Sequence, residues 1–316
     1  MNYASIIILF QAAVIPMTAA TNKLRAPKRS FASSCVIQAV SELRIDPTDG
    51  IKDMRFECEM DAQDMGGVGG LVRELSGSPA QLSQIQALMN KGIFKAGESV
   101  LEHSAGLPFD DMTVFIPPGL SIAASVRNNP NRRRLAVVTG KKPILVIKVR
   151  DSNGLAMVES PAVISDDVFG TSGDPVNLKS QMSACSFGQL NITAGNPPTN
   201  SAGANEVAPG VIEVNITISL NNTRTQVRNA ATAAAQSKLN FTLPGPYQQV
   251  MYVLHSCIVD CGWAAYAGVN SWYSVYQGGY YKQVGVQMHG MKTRLDDANI
   301  VDSPHFILFL RRRDWT

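Results

Sequence analysis

The sequence predicts a mixed α/β fold of the α+β kind, a twisted mixed sheet with flanking helices, behind a less regular N-terminal region. Three observations point there. Residues 143–149 (PILVIKV) form an apolar run that ends at the turn-forming Asp151-Ser-Asn-Gly154. Residues 223–239 are Ala-rich and helical in pattern, and two strand-like segments, 211–219 and 249–254, flank them. With 316 residues, 45% hydrophobic and 17% charged, the chain can bury a large core. A net charge of +3 is too weak to suggest a nucleic-acid partner. No apolar run approaches the ~18 residues that span a bilayer.

From the start of the chain, Ile6 to Ile15 is a short apolar stretch followed by Pro16 and Thr18-Ala19-Ala20. This pattern predicts a secretory signal peptide over residues 1–20, although no Lys or Arg precedes the apolar stretch. Four Asn-x-Thr sequons, at Asn191, Asn215, Asn221 and Asn240, agree with an extracellular, glycosylated product. The five cysteines, Cys35, Cys58, Cys185, Cys257 and Cys261, are disulfide candidates with one left over. Cys257 and Cys261 have no second Cys/His pair at zinc-finger spacing after them.

Residues 21–134 carry no catalytic signature and read as a propeptide-like region of mixed structure. Within it, Ser78-Pro-Ala-Gln81 has the form of a capping box with proline in the first turn. Leu82, Ile85, Leu88 and Met89 then repeat at helical spacing and mark a core face. The run Gly66-Gly-Val-Gly-Gly70 lacks the Gly-Lys-Ser/Thr of a phosphate loop and reads as a connection. A polar turn, Asn128-Asn-Pro-Asn131, ends in Arg132-Arg133-Arg134; it is either a processing point before the next domain or a solvated loop.

The segment 135–289 is the regular one. After the strand at 143–149, residues 178–190 are helical in pattern. Asp166 and Asp167, read as strand neighbours, would point to opposite faces and share no acid/base work. Glu213 and Asp260 have no evident partner, and His255 beside Cys257 reads as structural. Near the end, eight aromatic rings crowd residues 252–281, among them Tyr252, Trp263, Tyr266, Trp272, Tyr273 and Tyr276. Such rings either fill a sheet core or form a surface that stacks on sugars or holds an extended peptide.

The block Cys261-Gly-Trp-Ala-Ala-Tyr-Ala-Gly-Val-Asn-Ser-Trp-Tyr-Ser-Val-Tyr-Gln277, followed by Tyr281-Lys-Gln-Val-Gly-Val-Gln-Met-His289, resembles the gametolysin family of secreted zinc peptidases. Upstream, Ser165-Asp-Asp-Val-Phe-Gly170 and Ser183-Ala-Cys-Ser-Phe-Gly-Gln-Leu190 resemble the same family in the same order. The resemblance covers roughly residues 135–289. It implies a metzincin-like zincin subdomain acting on extracellular-matrix or cell-wall proteins, with an edge strand that aligns substrate ahead of an active-site helix. Trp272, Tyr273 and Tyr276 are its candidate substrate contacts.

In that family the segment ending at His289 runs into H-E-x-x-H. Two His residues four apart bind one zinc and the Glu between them is the general base. Here His289 is the one candidate metal ligand. Gly290 stands at the Glu position and Thr293 at the second His, while His305 behind Pro304 is too distant for the pair. The expectation is therefore no catalytic residue and no zinc held by this chain, since catalytic zinc takes three protein ligands and a water. Residues 290–316 resemble nothing in the family. A shifted reading frame or retained intron would produce so abrupt an edge, and a diverged C-terminus is the other reading. The chain then reads as a gametolysin-type peptidase made inactive, with a non-cleaving binder of peptide or wall glycoprotein as the alternative.

Overall fold

The structure, a computed structural model, describes residues 30–44, 54–60, 71–97, 99–120, 125–126, 139–195, 207–256, 262–269 and 271–282. The leader at 1–20, the glycine run at 66–70, Arg132 to Arg134, Cys257, Asp260, Cys261, His289, Gly290, Thr293 and His305 lie outside them. The described residues form a mixed α/β fold with four α-helices and one twelve-stranded mixed sheet. None of these helices is long and apolar enough to cross a membrane.

The N-terminal part is richer in strand than the sequence suggests. It contains β1 (Ser30–Arg44), β2 (Arg55–Met60), β3 (Val72–Ser76), α1 (Pro79–Asn90), β4 (Ser99–Phe109), β5 (Thr113–Phe115) and β6 (Ser125–Val126). β1 pairs antiparallel with β2 and β4, β2 with β3, and β4 with β5, while β3 and β5 run parallel. These pairings close a five-stranded ring with a helix between its third and fourth strands, the connectivity of an OB-type barrel. Alternate residues of β1 and β2, Cys35, Ile37 and Ala39 with Phe56, Cys58 and Met60, fill the interior with Leu101, Leu107 and Val114. Cys35 and Cys58 form a disulfide between the neighbouring strands β1 and β2.

The helix start read at Ser78 is borne out. Ser78 Oγ accepts from Gln81 N–H, the Gln81 side chain accepts from Ser78 N–H, and Pro79 opens α1. Gln81 also donates to the Pro117 carbonyl, tying the cap to the chain beyond β5. Ile85 is fully buried, with Leu82, Leu88 and Met89 packed partly against the same core.

The second unit is built on β7 (Gly140–Arg150), followed by α2 (Pro161–Phe169), α3 (Leu178–Cys185), β8 (Leu190–Ala194), β9 (Val211–Asn215), α4 (Arg224–Leu239), β10 (Gln249–Leu254), β11 (Trp263–Gly268), β12 (Tyr273–Gln277) and a 3-10 turn (Gly278–Lys282). β7 is central: β10 runs parallel along one edge, while β8 and β9 run parallel end to end along the other. β12 is parallel to β10, and β11 is antiparallel to β12. Both faces of β7 are covered over its second half, which is why residues 144–147 and 149 are all apolar. Ile144 and Val146 pack with α2 and α3 on one face; Leu145, Ile147 and Val149 pack with α4 on the other.

Three local readings are corrected. The helix expected over 178–190 stops at Cys185, because Phe187 and Gly188 take positive φ (54° and 78°) and turn the chain into β8. The strand expected over 211–219 stops at Asn215, where β7 itself ends, and the Ile216 N–H makes the last bond to the Arg150 carbonyl. Asp166 and Asp167 lie in the helix α2, where the i→i+1 offset separates their roles.

The two units are one sheet. β1 continues past the barrel and pairs antiparallel with β11, placing Val40 opposite Gly268 and Glu42 opposite Tyr266. Replacing Cys35 and Cys58 together by Ser should lower the unfolding free energy by about 2–4 kcal/mol in chemical denaturation, since the bridge closes a loop with a sequence separation of 23.

Candidate functional site at the seam between the two units

α4 lies between the barrel and the second unit's sheet. Thr223 caps its start in a reciprocal box with Gln226, and its alanines let it pack closely on β7 and β10. One turn in, Arg224 and Arg228 stand four residues apart and therefore on one face. That face meets the barrel. Arg228 Nη1 donates to Glu57 Oε2 at 2.8 Å, and the Tyr273 hydroxyl donates to the same oxygen at 2.8 Å. Thr225 Oγ1 donates to the other carboxylate oxygen at 3.4 Å. Glu57 is 0% exposed and Arg228 3%, so this ion pair is sealed from water.

Nearby, Arg224 pairs with Glu42 of β1, and its guanidinium lies 5.0 Å over the Trp263 ring. Arg228 sits 4.4 Å over Tyr273, and Arg55 of β2 lies 5.1 Å over Tyr266. The Tyr266 hydroxyl donates to the Arg224 carbonyl. Asn229 both donates to the Val72 carbonyl and accepts from the Val72 N–H, so α4 also grips the backbone of β3.

Electrostatics follow from burial. Desolvation works against the charged Arg228, yet Glu57, with Tyr273 and Tyr266, outweighs it and the guanidinium stays protonated. Burial pushes the Tyr252, Tyr266, Tyr273 and Tyr276 phenols above their ordinary range, so all four are neutral at physiological pH. Tyr252 shares a 2.7 Å hydrogen bond with Thr232, whose hydroxyl also reaches the Arg228 carbonyl.

On the opposite face, a second cluster holds the 3-10 turn. The Tyr281 hydroxyl donates to Asp167 at 2.6 Å, and Lys282 Nζ lies 3.0 Å from Asp167 and 3.9 Å from Glu159. Burial, reinforced by Asp167, raises the Tyr281 phenol. Asp166 instead accepts the N–H groups of Ser172 and Asp174. Glu213, for which the sequence offered no partner, takes Arg150 at 2.8 Å and Lys148 at 3.6 Å. Burial raises its carboxyl, but Arg150 and Lys148 carry it below the usual range.

The other residues singled out from sequence are dispersed. Tyr273 and Tyr276 are 2% and 0% exposed, and Trp272 is partly buried against the α4-side core. Tyr273 is covered at the seam with the barrel, and Tyr276 lies in the second unit's core with α2 and α3. Cys185 carries a free thiol whose pKa burial raises. Asn215, Asn221 and Asn240 are exposed, while Asn191 is half-buried in β8. His255, partly buried at the end of β10, contacts the Ser256 carbonyl through Nδ1 at 2.6 Å. Among the described residues, no three His, Cys, Asp or Glu side chains gather as a metal-ligand set.

Glu42, Glu57, Arg224 and Arg228 escape sequence reasoning. The i,i+4 arginines are a readable signal of a shared face, but their partners lie more than 150 positions away. No family model, curated protein or solved structure matches the chain.

Breaking the sealed pair from one side, by Glu57→Gln or Arg228→Met, should cost about 3–5 kcal/mol, and the double variant should cost less than the sum of the two. Urea denaturation of the four chains checks this. Asp151 supplies a pH test. It is buried, which raises its carboxyl, but the N–H groups of Leu220, Leu155 and Asn153 outweigh burial and hold it below the ordinary range. Its contribution is present above the ordinary carboxylate pKa of about 4 and is lost as pH falls through the lower folded value. Asp151→Asn should therefore destabilise at neutral pH and flatten the acid limb of a stability-against-pH curve.

Proposed function

We propose that the second unit is a gametolysin-type, metzincin-like zincin subdomain of a secreted protein, preceded by a propeptide-like barrel, and that this chain does not cleave peptides. The family it resembles hydrolyses extracellular-matrix or cell-wall proteins with zinc. The observation that supports the reading is β11: within the second unit it is the antiparallel edge strand, and in sequence it precedes β12, the 3-10 turn and then His289, the order expected of a substrate-aligning strand ahead of a zinc helix.

The donor set argues against catalysis. His289 is followed by Gly290 where a general base belongs and by Thr293 where the second imidazole belongs. One imidazole without a carboxylate base neither holds zinc in a three-ligand site nor takes a proton from a water on it. No step through zinc is derived for this chain. What remains is a sheet edge that takes an extended chain by main-chain hydrogen bonds.

The full chain, purified from a secreting host, should carry substoichiometric zinc by elemental analysis and show no hydrolysis of a quenched-fluorescence protein substrate. One tightly bound zinc per chain that His289→Ala removes and His305→Ala retains would overturn the non-cleaving reading. In the same preparation, glycosidase treatment should lower the mass, with occupancy at the exposed Asn215, Asn221 and Asn240 rather than at half-buried Asn191.

A further inference from the structure

The carboxylates met by the two seam arginines both belong to the barrel. Glu42 comes from β1 and Glu57 from β2, and each reaches an arginine whose guanidinium is laid over an aromatic ring of the second unit. Contact with the Trp263 and Tyr273 rings restricts these guanidiniums, so less rotamer freedom is lost when a carboxylate arrives. The adjoining edge of β11 is filled over residues 40–44 of β1, with Glu42 directly across from Tyr266. Main-chain pairing of this kind gives affinity for any extended segment, so side chains must supply the choice.

We propose that Arg224, laid against Trp263, is a carboxylate-recognition residue that selects the segment lying along β11, and that its ligand is an extended acidic peptide with Asp or Glu opposite Tyr266, while Arg228 holds Glu57 of the neighbouring strand β2. The barrel fills this site in cis. The inference rests on reading β11 as a peptide-aligning edge, but it involves no zinc.

The seam has the energetics of a contact that exchanges. Arg228 Nη2 and Arg55 Nε and Nη2 are buried without a hydrogen-bond acceptor. Each such group carries a desolvation cost of about 1–3 kcal/mol that an apolar interface would not incur. Interfaces between units of one chain resemble transient complexes in this respect. A charge-assisted contact also has the selectivity needed: a Gln in place of Glu42 leaves the partly buried Arg224 guanidinium facing a neutral amide.

The test uses the full chain and a fluorescein-labelled peptide of residues 36–44 (VIQAVSELR). Fluorescence anisotropy should show the peptide binding the Glu42→Gln chain at least about tenfold more tightly than the wild type, because the in-cis occupant is weakened. A peptide carrying Gln at the Glu42 position should lose about tenfold on that same chain, as should the labelled peptide on a Glu42→Gln, Arg224→Ala chain. Hydrogen exchange supplies the control for folding: amides of β7 and β10 should keep wild-type protection in every variant. In the wild type itself, β11 amides should exchange sooner than those of β12. Equal binding of the acidic and Gln peptides overturns the carboxylate selectivity. Absence of binding to every chain, or β11 and β12 opening together, overturns the exchangeable edge. A zinc measurement moves with neither result, so the two proposals fail separately.

Discussion

The seam depends on one sealed ion pair. Glu57 and Arg228 are both removed from water, and a charge so placed is costly unless its partner is present. The Tyr273 hydroxyl and Thr225 complete the carboxylate's hydrogen bonds. Because Glu57 sits on barrel strand β2, Arg228 on α4 and Tyr273 on β12 of the second unit, this single constellation ties the barrel, the helix and the second unit's strands together. The pairing of β1 with β11 then follows at a set register, because a strand shifted by one residue would present its other face and take Glu42 away from Arg224.

The second unit has its own organising element in β7. With strands on both edges and helices on both faces, the buried part of β7 must be apolar, and the exception within residues 144–149, Lys148, sends its ammonium to the Glu159 carbonyl and Glu213. At its end, the Asp151 carboxylate gathers N–H groups from its own turn and from Leu220 on the approach to α4. Asp167 plays the matching part on the other face, holding Tyr281 and Lys282. Two carboxylates thus anchor the two connections that lead to the seam helix and to the segment before His289.

Elements with a strong local signal were legible. The Ser78 capping box, the apolar run of β7, the bounds of β10 and the Ala-rich α4 could be read because caps and periodicity act over a few residues. Boundaries set by tertiary pairing were not. β9 ends where β7 ends, and α3 ends where Phe187 adopts a left-handed conformation that the sequence does not announce. The barrel was invisible for the same reason: its ring closes through β1–β4 and β3–β5 pairings between residues far apart in the chain.

By itself, the sequence determined the mixed α/β class, the position of the central strand and the seam helix, and the presence of Gly290 and Thr293 where the Glu and second His of the motif would stand. Those are properties of residue type and short-range order. Only the tertiary structure decided that the leading segment is a closed barrel, that its first strand extends the second unit's sheet, and that Arg224 and Arg228 find their carboxylates there. Ion pairs and strand pairings depend on distance in space, and Glu57 and Arg228, 171 positions apart in the chain, meet only through the packing of the two units.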